Sequence, residues 1–520
     1  MYLHNKPAQR RGYVFLAVLL GSLAGCRDST SPADERGEPG ISIVAGANVT
    51  DTVRAPLPLA LRVVVRDDDG RVMPGVVVRF SAVPAVHPNG FAEPSLFVGA
   101  LNAPAASTVM ADTTSADGVA LARIELGRVA GPGAVAITVP EAGLQDTARY
   151  TITPGEPVKV VLPAADTAVQ AGRSLALGGR TEDRYGNART DAIVYEVTGT
   201  GLALSGTQVS TSVPARGSII ARLDRPGVTR DTTWLSVVPA GIVAVPRGDK
   251  LMTVALDGTG QTLIPHTLPM GDYGPEWHPN GQSLLAVLGT WSGPRSLYRV
   301  ELNGATQHII SPAASGSDDL YIVPGVIRGF SYSPDGGWVY LSGNNCNYNA
   351  ILYRLPASNP QAIQRLSPAG VDECFELVNH WPSLSPDGSR LAYENQTWNE
   401  SGYSIRVMTV DTRAVTQIAT GGRHPRWSPA GDLIAYWASG QVWVVRPDGS
   451  GARAVSPAGR TYVPGVQWSP DGKWILARFE RPAGWVGTTL ALLDVSTGLE
   501  LPLPWTTNYV AGLPAWRPGS

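Results

Sequence analysis

The last half of this chain repeats one short motif, a Ser-Pro-Asp-Gly turn with a large residue just before it and an apolar run just after. The copies read WHPNGQSLLAV from Trp277, YSPDGGWVYLS from Tyr332, LSPDGSRLAYE from Leu384, WSPAGDLIAYW from Trp427, WSPDGKWILAR from Trp468 and a short WRPGS from Trp516. Their anchors stand 55, 52, 43, 41 and 48 residues apart. A unit of that length cannot bury its own faces, so a repeat of this period constrains the fold to one in which successive units stack.

Pro cannot donate a ladder hydrogen bond and ends a strand, whereas Asp-Gly supplies a tight turn, so each copy predicts a hairpin. The runs after the turn (LLAV, WVYL, RLAY, LIAY, WILA) and a further run behind each (LYRVELNG, ILYRLPA, IRVMTVDT, QVWVVRPDG, LALLDVSTG) are rich in β-formers. Four antiparallel strands per repeat follow, in an all-β chain whose sheets stack radially with the anchor residue wedged between them, as a β-propeller. The last copy supplies only a first strand, while GIVAVPRGDKLMTVALDGTGQTLI at 241–264 supplies later strands without an anchor. A sixth blade is therefore expected to combine both ends of 241–520.

The pattern P-x-W-S-P-D-G-x-x-I-A-Y resembles the repeat of TolB-type six-bladed propellers, a subset of WD40-like (PD40) folds. His278, Asn280 and Ala430 depart from it. The resemblance implies architecture rather than function, because such propellers serve as protein-binding platforms, sensors and hydrolase domains.

At the N-terminus, Lys6, Arg10 and Arg11 precede an apolar stretch from Tyr13 to Leu20, which predicts a signal peptide over 1–25, too short to span a membrane. Leu23-Ala24-Gly25-Cys26 resembles the bacterial lipobox, which implies a lipid on Cys26. Residues 26–40 lack apolar periodicity and read as a disordered tether. Arg27 stands where the sorting rule of some Gram-negative lipoproteins places Asp for inner-membrane retention, which implies the outer membrane, with the periplasmic or the surface face left open.

Residues 41–154 and 155–240 alternate strands and turns in two stretches of sandwich size. LALRVVVRDDDGRVMPGVVVRF and DTTSADGVALARIEL in the first resemble bacterial Ig-like (Big-1, invasin-type) domains, and VQAGRSLALGGRTEDRYGNARTDAIVYEV in the second is similar to the same family. Both are expected to serve as a stalk. TPGEP at 153–157 and VVPAG at 237–241 mark the boundaries.

The formal net charge of −2 and the lack of a basic run argue against a nucleic-acid partner. Beyond Cys26 the chain has Cys346 and Cys374, which an oxidising envelope lets pair across two loops of one propeller face. No G-x-S-x-G or H-E-x-x-H occurs, and no catalytic α/β domain is expected after the last copy. No cofactor and no metal is expected. Asp318, Asp319, Asp372, Glu373 and Glu376 are loop acids, read as solvated. DDDG at 67–70 is read as a turn.

The Pro-Asp-Gly turns are short, whereas the opposite connections are long and rich in aromatics and Asn. That face is the expected binding surface, carrying Trp291, Asn344, Asn345, Tyr348, Trp398, Asn399, Tyr462, Trp485, Asn508 and Tyr509, with Tyr273 and Tyr321 nearby. The reading is a non-enzymatic, lipid-anchored envelope protein whose propeller binds a protein or glycan. A hydrolase or lyase using loop carboxylates and an adhesin-like structural protein are the alternatives.

Overall fold

In the computed structural model the described residues run from 36 to 520, except 87–91, 164–165, 272, 290–295, 312–326, 347–348, 368–376, 398–401, 481–487 and 507–511. The expected leader, Cys26, Cys374 and hence the Cys346–Cys374 pairing lie outside them. The described residues are all-β, with helix confined to two single 3-10 turns, Pro140–Ala142 and Pro504–Thr506. The chain divides into two compact units between Pro154 and Gly155.

In the first unit, Gly40–Ala45, Leu61–Arg66, Val119–Leu126 and Leu96–Gly99 form one sheet in that order. Val49–Thr52, Leu144–Thr153, Gly131–Val139, Val77–Ala82 and Val109–Thr113 form the other. Strict alternation puts Ala120, Ala122, Ile124 and Leu126 inside, as a half-buried strand requires.

In the second unit the repeats build six antiparallel groups, called sheets 1 to 6 here. Their first strands are Glu276–Trp277, Ile327–Tyr332, Leu377–Leu384, Arg423–Trp427, Tyr462–Trp468 and Ala515–Trp516. Their second strands are Ser283–Leu288, Trp338–Cys346, Arg390–Thr397, Ile434–Ala438, Trp474–Glu480 and Ile242–Arg247. Sheets 2 and 3 are joined by one parallel pairing, Ala350 to Val378. Sheet 6 unites both ends of the repeat region, Val243 pairing with Trp516 and Ala244 with Ala515. Each first strand touches the next, and that of sheet 6 touches that of sheet 1, so the contacts run in a closed circle.

The motif residues explain the turns. Ser333, Ser385, Ser428 and Ser469 each accept, through Oγ, the backbone N–H five residues on, at 2.9 to 3.1 Å. Gly336, Gly388, Gly431 and Gly472 stand at φ of 71 to 74°, where a Cβ is costly. In the copy with Ala430 in place of Asp, the Ser428 hydroxyl donates instead to Asp432 at 2.8 Å. The anchors Trp277, Tyr332, Leu384, Trp427, Trp468 and Trp516 are all buried between sheets, as the stacking argument expects.

Residues 155–240 form three small sheets. They share a core with sheets 5 and 6, where Val238 packs with Val243, Trp474, Leu490 and Leu503 and Ala168 lies against the same cluster. Arg173 reaches Asp257 at 3.7 Å across the same junction.

Candidate functional site

The first strands line the axis of the circle, and two levels along it bring unlike residues together. At the level of the anchors, Glu276 of sheet 1 meets Arg426 of sheet 4, Oε2 to Nη2 at 3.3 Å. Sheets 1 and 4 stand opposite each other in a circle of six, so the ion pair spans the axis. Gln467 of sheet 5 donates to the same Glu276 oxygen at 3.5 Å. Burial raises the Glu276 pKa, with Arg426 and Gln467 opposing it. Beside this plug lies a cavity of 340 Å³ at the turn end, walled by Tyr332, Trp427, Trp468, Pro470 and Pro518.

Three residues before each anchor, about 10 Å further from the turns at strand rise, stand Gly274, Gly329, Trp381, His424, Gly465 and Leu513. A bulge or register shift interrupts pairing in sheets 2 to 5 at this level. Gly329 and Gly465 take φ of 99 and 121°, and Trp381 and His424 also adopt left-handed backbone, at 55 and 52°. Such a conformation costs a non-glycine residue about 1–2 kcal/mol. The two rings stack with centroids 4.0 Å apart and planes at 30°, and Tyr273 meets Trp381 edge-on at 5.8 Å. An aromatic contact returns about 1 kcal/mol, less than the strain of the pair, so further contacts must hold it.

Glu394, on the second strand of sheet 3 and fully buried, supplies them. One of its oxygens accepts the His424 backbone N–H at 3.1 Å and the other the Arg423 Nε–H at 3.2 Å. Beside it, the Asn395 amide donates to Asn379 at 2.7 Å. His424 Nδ1 has no hydrogen-bond partner among the described residues. Burial first, and then Arg423, Arg426, Arg478 and His380, hold the His424 pKa well below the usual imidazole value, so the ring is neutral at neutral pH. A neutral imidazole stacked on an indole, backed by buried charge, is an apolar and aromatic platform with a polar rim. Among the described residues no group of three or more His, Cys, Asp or Glu could hold a metal ion.

Of the residues expected on the long-connection face, Trp291, Tyr348, Trp398, Asn399, Trp485, Asn508 and Tyr509 lie outside the described residues, as do Tyr321 and the five loop acids. Asn344 and Asn345 are described only as backbone of Trp338–Cys346. The expectation for Tyr462 is corrected. It is fully buried at the start of a first strand, and its hydroxyl donates to Glu500 at 2.6 Å, so its ring belongs to the core between sheets 4 and 5. Tyr273 stands at the axis. Trp381, His424, Glu394, Glu276 and Arg426 were absent from the expected set, although aligning the copies on their anchors exposes the position where Gly alternates with Trp and His.

The first unit holds a larger cavity, 730 Å³, among Val83, Pro84, Val129, Pro132 and Tyr150. Arg149 is the one charged residue of its described wall, beside Asn48, Ser95 and Thr151.

No family model matches the chain. A TolB homolog of Chlorobium luteolum is 30% identical over 125 residues, 22% of this chain and 27% of that protein. Part of the chain is similar to TolB. The match spans about a quarter of that relative's length. Among solved structures, TolB from Acinetobacter baumannii is 17% identical with a TM-score of 0.41, covering 62% of this chain and 83% of that one. A nidogen–laminin complex is 11% identical with a TM-score of 0.40, covering 53% of this chain and 98% of that one.

Proposed function

We propose that the chain is a cell-envelope lipoprotein in which residues 241–520 form a six-bladed, TolB-like β-propeller that binds an envelope protein at the axial end away from the turns, without catalysing a reaction. Cys26 carries the lipid and holds the protein at the outer membrane. Residues 41–154 and 155–240 are Ig-like modules. The first is the spacer, while the second, sharing a core with sheets 5 and 6, belongs mechanically to the propeller.

The closed circle of first strands supports the propeller reading, and the strained Trp381–His424 stack carries the functional one. Two left-handed non-glycine residues side by side are retained against their cost where surrounding groups over-determine them, which is a recurrent property of binding sites. The test is capture from envelope extract by the full chain, with partners identified by mass spectrometry. Trp381→Ala, shown to be folded, is expected to lose a partner that the wild type holds. A partner retained equally by both forms contradicts the axial site.

A further inference from the structure

The register of the sheets sets up a comparison between seams. Leu384 pairs with Leu391, Trp427 with Ile434 and Trp468 with Ile475, so Glu394, Trp437 and Arg478, each three residues on, occupy equivalent second-strand positions. Glu394 receives Arg423 and the His424 N–H of sheet 4. Trp437 donates its indole N–H to the Tyr462 carbonyl of sheet 5 at 2.7 Å. Arg478 is turned to the seam with sheet 6, on the same side of its strand as Trp474 and Leu476, which pack with Val243 and Trp516. The sheet 6 residue equivalent to His424 is Leu513, whose side chain has no acceptor for a guanidinium.

Arg478 is half-buried. Its one hydrogen bond among the described residues is a long one, Nη2 to the Pro464 carbonyl at 3.4 Å, and its buried Nε has no partner. Two other cations described at the axis are matched, Arg423 with Glu394 and Arg426 with Glu276. Burying a cation without a counter-ion is unfavourable, so a half-buried guanidinium with no acid beside it among the described residues is suited to take an anion from outside.

We propose that Arg478 is the anion-recognition residue of the axial site and receives a carboxylate carried by the bound partner. This rests on the reading of the axial end as the binding site. A guanidinium fork matches a carboxylate in shape, and the single positive charge of Arg478 balances a monovalent group rather than a phosphate of nearly two charges. His424, held neutral nearby, adds no second charge. The partner therefore presents an acidic side chain or chain terminus beside an apolar group that lies on the Trp381–His424 platform.

The test titrates the full chain calorimetrically with end-blocked Ala-Glu-Glu-Glu-Ala, with its Gln counterpart and with sodium acetate. The wild type is expected to bind the Glu peptide at least about tenfold more tightly than the Gln peptide, the discrimination of one charged hydrogen bond. Arg478→Met is expected to erase that preference and Arg478→Lys to keep part of it. Because no acid among the described residues pairs with Arg478, Arg478→Met is also expected to unfold at the wild-type urea concentration or above. Equal affinity for the two peptides, a Glu preference that survives in Arg478→Met, or a marked loss of stability in that variant overturns the proposal. Acetate competing through Arg478 supports the carboxylate chemistry and assigns it to a free acid. In envelope capture, a partner held equally by wild type and Arg478→Met overturns the role of Arg478 and leaves the proposed function standing. If neither form captures a partner, the proposed function fails, and the peptide titration still decides the anion site.

Discussion

Removing the indole of Trp516 tests the closure of the ring by its shortest strand. Trp516 is 7% exposed and packs against Val243, Val245, Trp474 and Leu476, so it joins sheets 5 and 6 as well as the two ends of the repeat region. Large-to-small substitution of a buried Trp costs about 3–5 kcal/mol. Its Nε1 has no hydrogen-bond partner among the described residues, so no polar contact is lost and the lower part of that range, about 3–4 kcal/mol, applies to Trp516→Ala. Backbone pairing of the strand survives the change in principle, through Val243, Ala244 and the 2.9 Å bond from Arg517 N to the Ile242 carbonyl. The reference is Trp234→Ala, at a residue 50% exposed beneath the Arg216 guanidinium, where a loss of at most about 1 kcal/mol is expected. Urea unfolding followed by far-ultraviolet circular dichroism gives both values without relying on tryptophan emission. If Trp516→Ala and Trp234→Ala unfold within about 1 kcal/mol of each other, the C-terminal strand does not carry the closure and the ring argument fails.

Other perturbations separate the remaining elements of the site. Glu394→Gln keeps the shape but removes the charge that Arg423 and the His424 N–H share. About 2–3 kcal/mol should be lost in urea unfolding, below the range for a fully buried pair because Arg423 is 30% exposed. Gly465→Ala combines a φ of 121° with a Cβ that would overlap the Leu513 side chain, so a loss of at least about 2 kcal/mol is expected, with partial recovery when Leu513→Ala is added. Burial depresses the pKa values of His266, His278 and His424, so the unfolded chain binds protons that the folded one refuses. Their stabilisation is complete above pH 6.5, the ordinary imidazole value, and is lost as pH falls below it, by up to about 1.4 kcal/mol per pH unit per residue. The turn carboxylate Asp387, held at about 2, stays ionised through that window, and Glu276, whose pKa burial raises, shifts stability the opposite way, so melting temperatures falling from pH 7.5 to 5 report the histidines, and a rise on acidification refutes the assignment.

The framework was legible in the sequence because its signals are local. A Ser-Pro-Asp-Gly turn has one geometry, an anchor residue recurs at a fixed distance from it, and the orphan strands at 241–264 match the orphan anchor at Trp516. The compensation of Ala430 by Asp432 was not, since it depends on which side chain reaches Ser428. Nor was the axial layer. Left-handed backbone at Trp381 and His424 breaks the two-residue alternation by which strands are read, and Glu394 looks like any strand carboxylate until the next sheet brings Arg423 to it. Tyr462 misled for the opposite reason. It follows Gly459, Arg460 and Thr461 and reads as a loop aromatic, yet it opens a strand whose neighbours enclose it. The docking of residues 155–240 on sheets 5 and 6 involves apolar residues such as Val238 that any strand end carries.

The most direct test of the binding account is site-specific photocrosslinking in intact envelopes, with p-benzoylphenylalanine in place of Tyr273 beside the Trp381 ring. The same probe in place of Trp234, which is exposed on residues 155–240, is the reference. A discrete protein adduct formed from position 273, absent from position 234 and lost when Trp381→Ala is combined with the probe, is the expected result. Adducts that are missing at position 273, or identical at both positions, would contradict a partner-binding site at the axis of the ring.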